Sequence, residues 1–235
     1  MNMRELYEAS PFGMVSSLLY GAVQSALFTL LAVYATGMNF TILEISIVTF
    51  LLAISGAIAQ FPVGKISDIY DRRKVIVIST FGAAIFCLLT ILVSRQMYLP
   101  DGLATSKTWF YIFFILFSFC SLPMFSLILA HTNDYISKDK FVAAGAGLQF
   151  VFGLGAMSGP FLCSIFMDLV GQNGFFIFCC FFHSLIGFYG IYRMRIRQSI
   201  DNPDSQFVAM PQTITPAGIE LNPTTEPIEE PKKEY

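Results

Sequence analysis

Residues 64–74 read GKISDIYDRRK and place six charged side chains between two long runs that carry almost none. On a membrane-insertion scale a central Asp, Lys or Arg costs about 2.5 to 3.5 kcal/mol, whereas each Leu, Ile, Val or Phe returns only roughly 0.3 to 0.6 kcal/mol. The charged stretch therefore cannot lie in the hydrocarbon core. We interpret it as the short loop between two membrane helices, and it fixes where both helices end.

The composition of the whole chain points to a bilayer. Hydrophobic residues make up 55% and charged residues 13% of the 235 residues, whereas about a quarter of a soluble domain is charged. No basic patch indicates a nucleic-acid partner. All five cysteines lie in apolar runs, without the paired Cys and His spacing that a metal site needs, so we predict neither a metal site nor a cofactor.

Six segments are long and apolar enough to cross a bilayer core, which needs roughly 20 apolar residues per helix. They cover approximately residues 12–37, 45–63, 75–94, 109–130, 142–167 and 174–192. None of them contains Asp, Glu, Lys or Arg. We predict an all-α integral membrane fold with a short N-terminus (residues 1–10), a six-helix domain (residues 11–197) and a Pro-rich, disordered tail (residues 198–235).

The Lys and Arg residues between the spans fall mainly on one side of the membrane. Ten lie on the side that holds both ends of the six-helix domain, and two, Arg95 and Lys107, lie on the other. Since cytoplasmic loops carry an excess of Lys and Arg, both termini are predicted to be cytoplasmic.

Three residues of the charged stretch, Gly64, Asp68 and Arg72, have the spacing of the Gly, Asp and Arg in the signature G-x-L-A-D-R-x-G-R-K. The chain therefore resembles transporters of the major facilitator superfamily, which carry this signature between two helices. Ile69 and Asp71 depart from the signature, which has Arg and Gly at these two places.

The resemblance covers residues 10–197 and implies half of a family member. Family members have two six-helix halves, each built of two inverted three-helix repeats, with the substrate held where the halves meet. The chain is most similar to a C-terminal half from an uncharacterised bacterial permease branch, through Gln60-x-Pro62-x-Gly64 and Ala130-His131-x-Asn133-Asp134. We expect a multi-pass protein of the bacterial inner membrane, in contact with the lipid bilayer and paired with a second six-helix half, either a separate chain or a second copy.

The resemblance also implies a cytoplasmic gate formed by Gly64, Asp68, Arg72 and Arg73. In the family the matching Asp and Arg lock the cytoplasmic side of the outward-facing state, and we expect the helix that begins near residue 142 to present its N-terminal dipole to Asp68. Asp68 and Arg72 are also spaced to pair with each other. The alternative is that the positive residues of the stretch only anchor the topology at lipid headgroups.

In the fifth span, Gly155, Gly159 and Pro160 resemble the G-x-x-x-G-P motif of family antiporters. The two glycines lie one turn apart, which lets a neighbouring backbone approach closely, and Pro160 permits a bend. We interpret the pattern mainly as tight helix packing. Leu162 and Cys163 stand where antiporters have Gly-Gly, so antiport is not predicted.

In the first span, Ser17, Tyr20 and Gln24 lie on one helix face. In the family the first helix of each three-helix repeat lines the substrate path, so these three residues, with Ser118 and Ser121 of the fourth span, are candidates for a path that binds an unknown small molecule. Hydrogen bonding between helices, without a substrate, is the open alternative.

Two other polar residues have less specific interpretations. His183 lies in the last span without a carboxylate partner, so we favour a packing role over proton relay. Asp134 mirrors Asp68 under the inverted symmetry, but ordinary solvation at the surface is the preferred interpretation.

The leading hypothesis is transmembrane transport of a small solute by alternating access, as a secondary transporter or half of one. An enzyme would need convergent acid, base or metal ligands, and no recognised spacing joins the few candidates, so no catalytic residues are predicted. The alternative is a truncated, non-transporting remnant or an accessory membrane subunit that needs a separate N-terminal half.

Overall fold

The computed structural model describes residues 2–96 and 103–196, with the backbone alone for residues 103–105. In these ranges the chain is helical, and six helical spans are long and apolar enough to cross a membrane. The predicted all-α membrane fold with six spans is therefore confirmed. The predicted disordered tail lies outside the described residues.

The helices are α1 (Met3–Ala9), α2 (Pro11–Gly37), α3 (Ile42–Ile69), α4 (Arg72–Gln96), α5 (Leu103–Ser121), α6 (Met124–Asn133), α7 (Phe141–Val170) and α8 (Gly174–Ile196), with a 3-10 turn at Lys138–Lys140 before α7.

Polar caps and glycine set the helix ends. The Oγ of Ser10 accepts the N–H of Gly13 at 3.2 Å, and Pro11 occupies the first turn of α2, where its missing N–H costs nothing. Thr41 and Glu44 form a capping box at the start of α3. Gly171 follows α7 with a φ of 77°, a left-handed conformation that favours glycine.

The helices are longer than the uncharged runs, which corrects the predicted loop at residues 64–74. α3 continues to Ile69 and α4 begins at Arg72, so only Tyr70 and Asp71 connect them. Charged side chains are tolerated in the last turns of a membrane helix because these turns lie at the bilayer surface, where water and headgroups solvate them. Counting apolar residues therefore underestimates helix length at both ends.

The fourth span is also different from its prediction, since it is not one continuous helix. α5 ends at Ser121 and α6 begins at Met124, and the two helices together make the span Ser106–Asn133. Pro123 lies at the break, where its ring and its missing N–H prevent the usual helical hydrogen bond. The break releases the carbonyl of Leu122 for other partners.

The packing of the spans follows the expected inverted repeat. α2 packs against α7 and α8, α4 packs against α5 and α8, and α3 packs against α5. The inverted repeat relates α2 to the fourth span (α5 and α6), α3 to α7, and α4 to α8. Under this relation the contact of α2 with α7 corresponds to the contact of α5 with α3, and the contact of α4 with α5 corresponds to that of α8 with α2. The contacts between the two three-helix units therefore come in symmetry-related pairs, as an inverted repeat requires.

The chain crosses from one end of the bundle to the other six times. One end, named the Asp68 face, carries Asp68 and Asp134. At the other end, named the opposite face, Lys107 pairs with Glu44, and the hydroxyl of Ser94 donates to the side-chain carbonyl of Asn173. Because the number of spans is even, both ends of the six-helix domain lie on the Asp68 face. α1 also lies there and buries Leu6 against α7.

Candidate functional site

A bifurcated ion pair forms on the Asp68 face, centred on the guanidinium of Arg72. Its Nη2 lies 2.9 Å from the Oδ1 of Asp68, the carboxylate in the last turn of α3. Its Nη1 donates to the backbone carbonyl of Ala130 at 3.1 Å and pairs with the carboxylate of Asp134, which follows α6. We name the group Asp68, Arg72 and Asp134 the Arg72 bridge. It connects the second and third spans, which belong to the first three-helix repeat, to the end of the fourth span, which is the first of the second repeat.

Burial makes this bridge costlier to break than a surface ion pair. The side chain of Arg72 is 6% exposed and that of Asp134 is 13% exposed, whereas Asp68 is 37% exposed. A guanidinium that loses its water must recover hydrogen bonds, and charge-assisted bonds to carboxylates are about twice as strong as neutral ones. Asp134 is therefore the more firmly held of the two carboxylates, and Asp68 remains open to water or to another protein segment.

The preferred interpretation of Asp134 as a solvated surface residue is wrong. Its carboxylate lies mostly out of water and pairs with Arg72. The sequence separation of 62 residues hides this contact. The inverted symmetry that relates Asp134 to Asp68 was the one signal for it.

The other two predicted gate residues lie beside the bridge but not in it. Arg73 binds the neighbouring Asp71, with its Nε and Nη2 at 3.1 and 2.8 Å from the two carboxylate oxygens. The same carboxylate accepts the N–H of Arg73 at 3.0 Å and so caps α4. Asp71 therefore starts the helix at the place where the signature has Gly. Gly64 is buried one turn before Asp68, and its carbonyl accepts the hydroxyl of Ser67 at 2.7 Å.

The small-residue motif of the fifth span lies at a close contact between α7 and α2. A Cβ on Gly155 would overlap the carbonyl of Leu18, and a Cβ on Gly159 would overlap the carbonyl of Ala22. The backbones of α2 and α7 therefore touch, as tight packing requires. Pro160 lies within α7, which continues through it to Val170.

The five substrate-path candidates lie inside the bundle, each at most 3% exposed. Ser17 donates to the carbonyl of Leu148 in α7 at 2.9 Å, and Ser118 donates to the carbonyl of Phe114 in its own helix at 2.8 Å. A side chain on a path between two halves should be exposed when one half is viewed alone. These contacts favour the helix-packing alternative, and a role along a substrate path stays a prediction.

The break in the fourth span collects three of the predicted polar side chains. The hydroxyl of Tyr20 donates to the freed carbonyl of Leu122 at 3.3 Å, and the Oγ of Ser121 lies 2.9 Å from the Nε2 of His183. His183 is fully buried, in keeping with a packing role. The Oε1 of Gln24 is buried without a hydrogen-bond partner among the described residues. Pro123, inside the predicted fourth span, is the feature of the sequence that could have indicated this break.

An ion pair on the opposite face was missed from the sequence. The Nζ of Lys107 lies 2.6 Å from the Oε1 of Glu44, and the ammonium also stands 5.4 Å from the centre of the Phe40 ring. The pair joins the starts of α3 and α5.

Within residues 2–96 and 103–196, no cluster of His, Cys, Asp or Glu has the arrangement of a metal site.

Comparisons with known proteins agree on a single family. The profile described as Major Facilitator Superfamily matches residues 13–221. An uncharacterized MFS-type transporter of Yersinia enterocolitica is 25% identical over 198 residues, which cover 84% of this chain and 47% of that protein. Another, of Bacillus subtilis, is 26% identical over 75% of this chain and 43% of its own length. The chain thus spans about half the length of these relatives. No solved structure matches it.

Proposed function

The chain belongs to the major facilitator superfamily, and we propose that it is one six-helix half of a secondary transporter that moves a small solute by alternating access, without covalent chemistry. Its relatives are named as transporters, and its six spans form a multi-pass membrane protein. The Arg72 bridge is the observation that carries the mechanism. The substrate, the direction and the second half belong to the proposal.

The bridge has the properties of a reversible lock. Arg72 is anchored on one side by Asp134 and the carbonyl of Ala130, while Asp68 keeps a third of its surface open. A partly exposed carboxylate at a helix end is able to accept hydrogen bonds from the N-terminus of a helix in a second half, since helix N-termini favour negative charge. We propose that this contact closes the Asp68 face in one state and breaks in the other. Gly64 and Arg73 then shape the turn that positions Asp68.

The two least buried spans indicate where the second half binds. In the apolar 18-residue stretches of the spans that contain α3 and α7, 28% of the residues are buried inside the bundle. In the other four spans the buried share is 50% to 67%. Phe61 on α3 is 79% exposed, and Met157 on α7 is 81% exposed. We propose that a second six-helix half covers these two faces and that lipid covers the outer sides of α4 and α8.

The excess of Lys and Arg on the Asp68 face favours the cytoplasmic side for that face. We propose that both ends of the six-helix domain are cytoplasmic and that the protein lies in a bacterial inner membrane, as its relatives from bacteria suggest.

Uptake by the complete transporter tests this function. The chain is reconstituted with its second half in vesicles, and a panel of small solutes is screened under an imposed gradient. Asp68→Asn is expected to slow uptake at equal protein abundance, while Lys65→Gln, an exposed charge on the same turn, leaves it unchanged. Normal uptake by Asp68→Asn would contradict the lock, and no uptake of any solute by the wild type would favour the remnant hypothesis.

A further inference from the structure

A groove opens on the outer surface of the bundle, between the end of α3 and the start of α4. Its volume is about 310 Å3, at the low end of the roughly 300–1,000 Å3 that ligand pockets span. The residues that line it are Val63, Ile66, Tyr70, Lys74, Val75, Ile78 and Ser79. Val63 and Val75 are each 7% exposed and form the floor, while Ile66 and Ile78 are 46% and 71% exposed and form the walls.

The groove changes from apolar to polar along its length. Tyr70 and Lys74 lie at the end nearest the Asp68 face, where the helices leave the apolar region. The ammonium of Lys74 has no ion pair or hydrogen bond to any residue within 2–96 or 106–196. By contrast, the two neighbouring arginines, Arg72 and Arg73, are both matched by carboxylates. Lys74 is therefore a positive charge available to a ligand.

We propose that this groove binds one anionic phospholipid. An acyl chain lies between Ile66 and Ile78, and the phosphate is held by the Nζ of Lys74 and the hydroxyl of Tyr70. A lipid fits because basic sites between membrane helices bind anionic headgroups, with about 1 kcal/mol for each Lys or Arg near the surface. Lys and Tyr side chains also place an apolar stem in the hydrocarbon and a polar tip at headgroup level.

The groove is separate from the face that we assign to a second six-helix half. Ile66 follows Phe61 by five residues, which places it about 140° further round α3 at 3.6 residues per turn. The α4 wall, formed by Ile78, lies on a helix that packs against α5 and α8 rather than on a free pairing face. A lipid is therefore able to occupy the groove while the halves are together.

Native mass spectrometry of the full chain in mild detergent tests the site without any transport measurement. Phosphatidylglycerol is expected to remain bound, and phosphatidylcholine with the same chains is expected to bind more weakly. Lys74→Gln should weaken phosphatidylglycerol binding about fivefold, the equivalent of one lysine. Lys65→Gln is the matched control, since this exposed lysine lies near the end of α3, on the same side of the bundle but outside the groove, and it should change binding less than twofold. Ser79→Phe, which fills the groove and keeps the charge, should also weaken it.

Four results would overturn the proposal. They are equal retention of phosphatidylglycerol by Lys74→Gln and the wild type, equal losses for Lys74→Gln and Lys65→Gln, full displacement of the lipid by inorganic phosphate, and a lipid-free dimer whose interface covers Tyr70. The second would indicate diffuse attraction, the third a headgroup site without an acyl chain, and the last a second copy as the occupant.

Discussion

Replacing Arg72 with Gln removes the cation that holds two carboxylates at the Asp68 face. Asp134, with a side chain that is 13% exposed, would then be left as a largely buried charge without its partner. Breaking a buried ion pair in this way costs about 3 to 5 kcal/mol. At about 2–4 °C for each kcal/mol in a chain of this size, the thermal midpoint should fall by roughly 6 to 20 °C.

The two carboxylates should contribute unequally. Asp134→Asn removes a charge-assisted hydrogen bond in a mostly dry site and should cost about 1.5 to 3 kcal/mol. Asp68→Asn should cost less than about 1 kcal/mol, because its side chain is 37% exposed and water screens the pair. The double variant Arg72→Gln/Asp134→Asn should be more stable than Arg72→Gln alone, since it no longer buries an unpaired carboxylate.

Midpoints for these variants are measured by heating the purified protein in mild detergent and following the loss of the monodisperse peak in size-exclusion chromatography. Lys65→Gln is the control, because this exposed lysine has no partner among the described residues and should melt like the wild type. Additive losses in the double variant, or a larger loss for Asp68→Asn than for Asp134→Asn, would show that Arg72 is not held as the structure describes.

Two further predictions concern packing inside the bundle, and the same thermal assay checks both. Gly155→Ala should lower the midpoint because the new methyl group meets the backbone of α2. Gly153→Ala is the control, because its methyl group meets nothing within 4 Å and the change should be neutral or stabilising. Similar midpoints for the two variants would argue against direct contact between the backbones of α2 and α7. Ser121→Ala should cost about 1 to 3 kcal/mol because it removes the partner of a buried His183 nitrogen. Ser118→Ala should cost less, because its hydroxyl bonds only to its own helix, and the reverse order would contradict the Ser121–His183 bond.

The six spans could be predicted from the sequence because burying one charged residue in hydrocarbon costs a large free energy, which depends on that residue and its near neighbours alone. Each long run without Asp, Glu, Lys or Arg became a span, and the charged stretch marked the end of α3 and the start of α4. The exact helix ends were not available from the same argument, since Asp68 and Arg72 are charged and still helical. Hydropathy measures transfer into hydrocarbon, and these residues lie at its boundary.

The candidate site was only partly accessible from the sequence. The pair of Asp68 and Arg72 follows from short spacing, although it spans a helix break rather than one helical turn. The contact of Arg72 with Asp134 and that of Ser121 with His183 each join residues 62 positions apart. Such contacts depend on how the spans pack, which no local pattern determines.

Sidedness of single cysteines in intact cells is the most direct test of the membrane arrangement on which the transporter proposal depends. In a background without the five native cysteines, Asn39→Cys probes the opposite face and Lys65→Cys probes the Asp68 face, and both positions are exposed. A membrane-impermeant maleimide should label Asn39→Cys in intact cells and Lys65→Cys only after permeabilisation. Labelling of Lys65→Cys from outside, or of both cysteines from one side, would contradict six spans with a cytoplasmic Asp68 face.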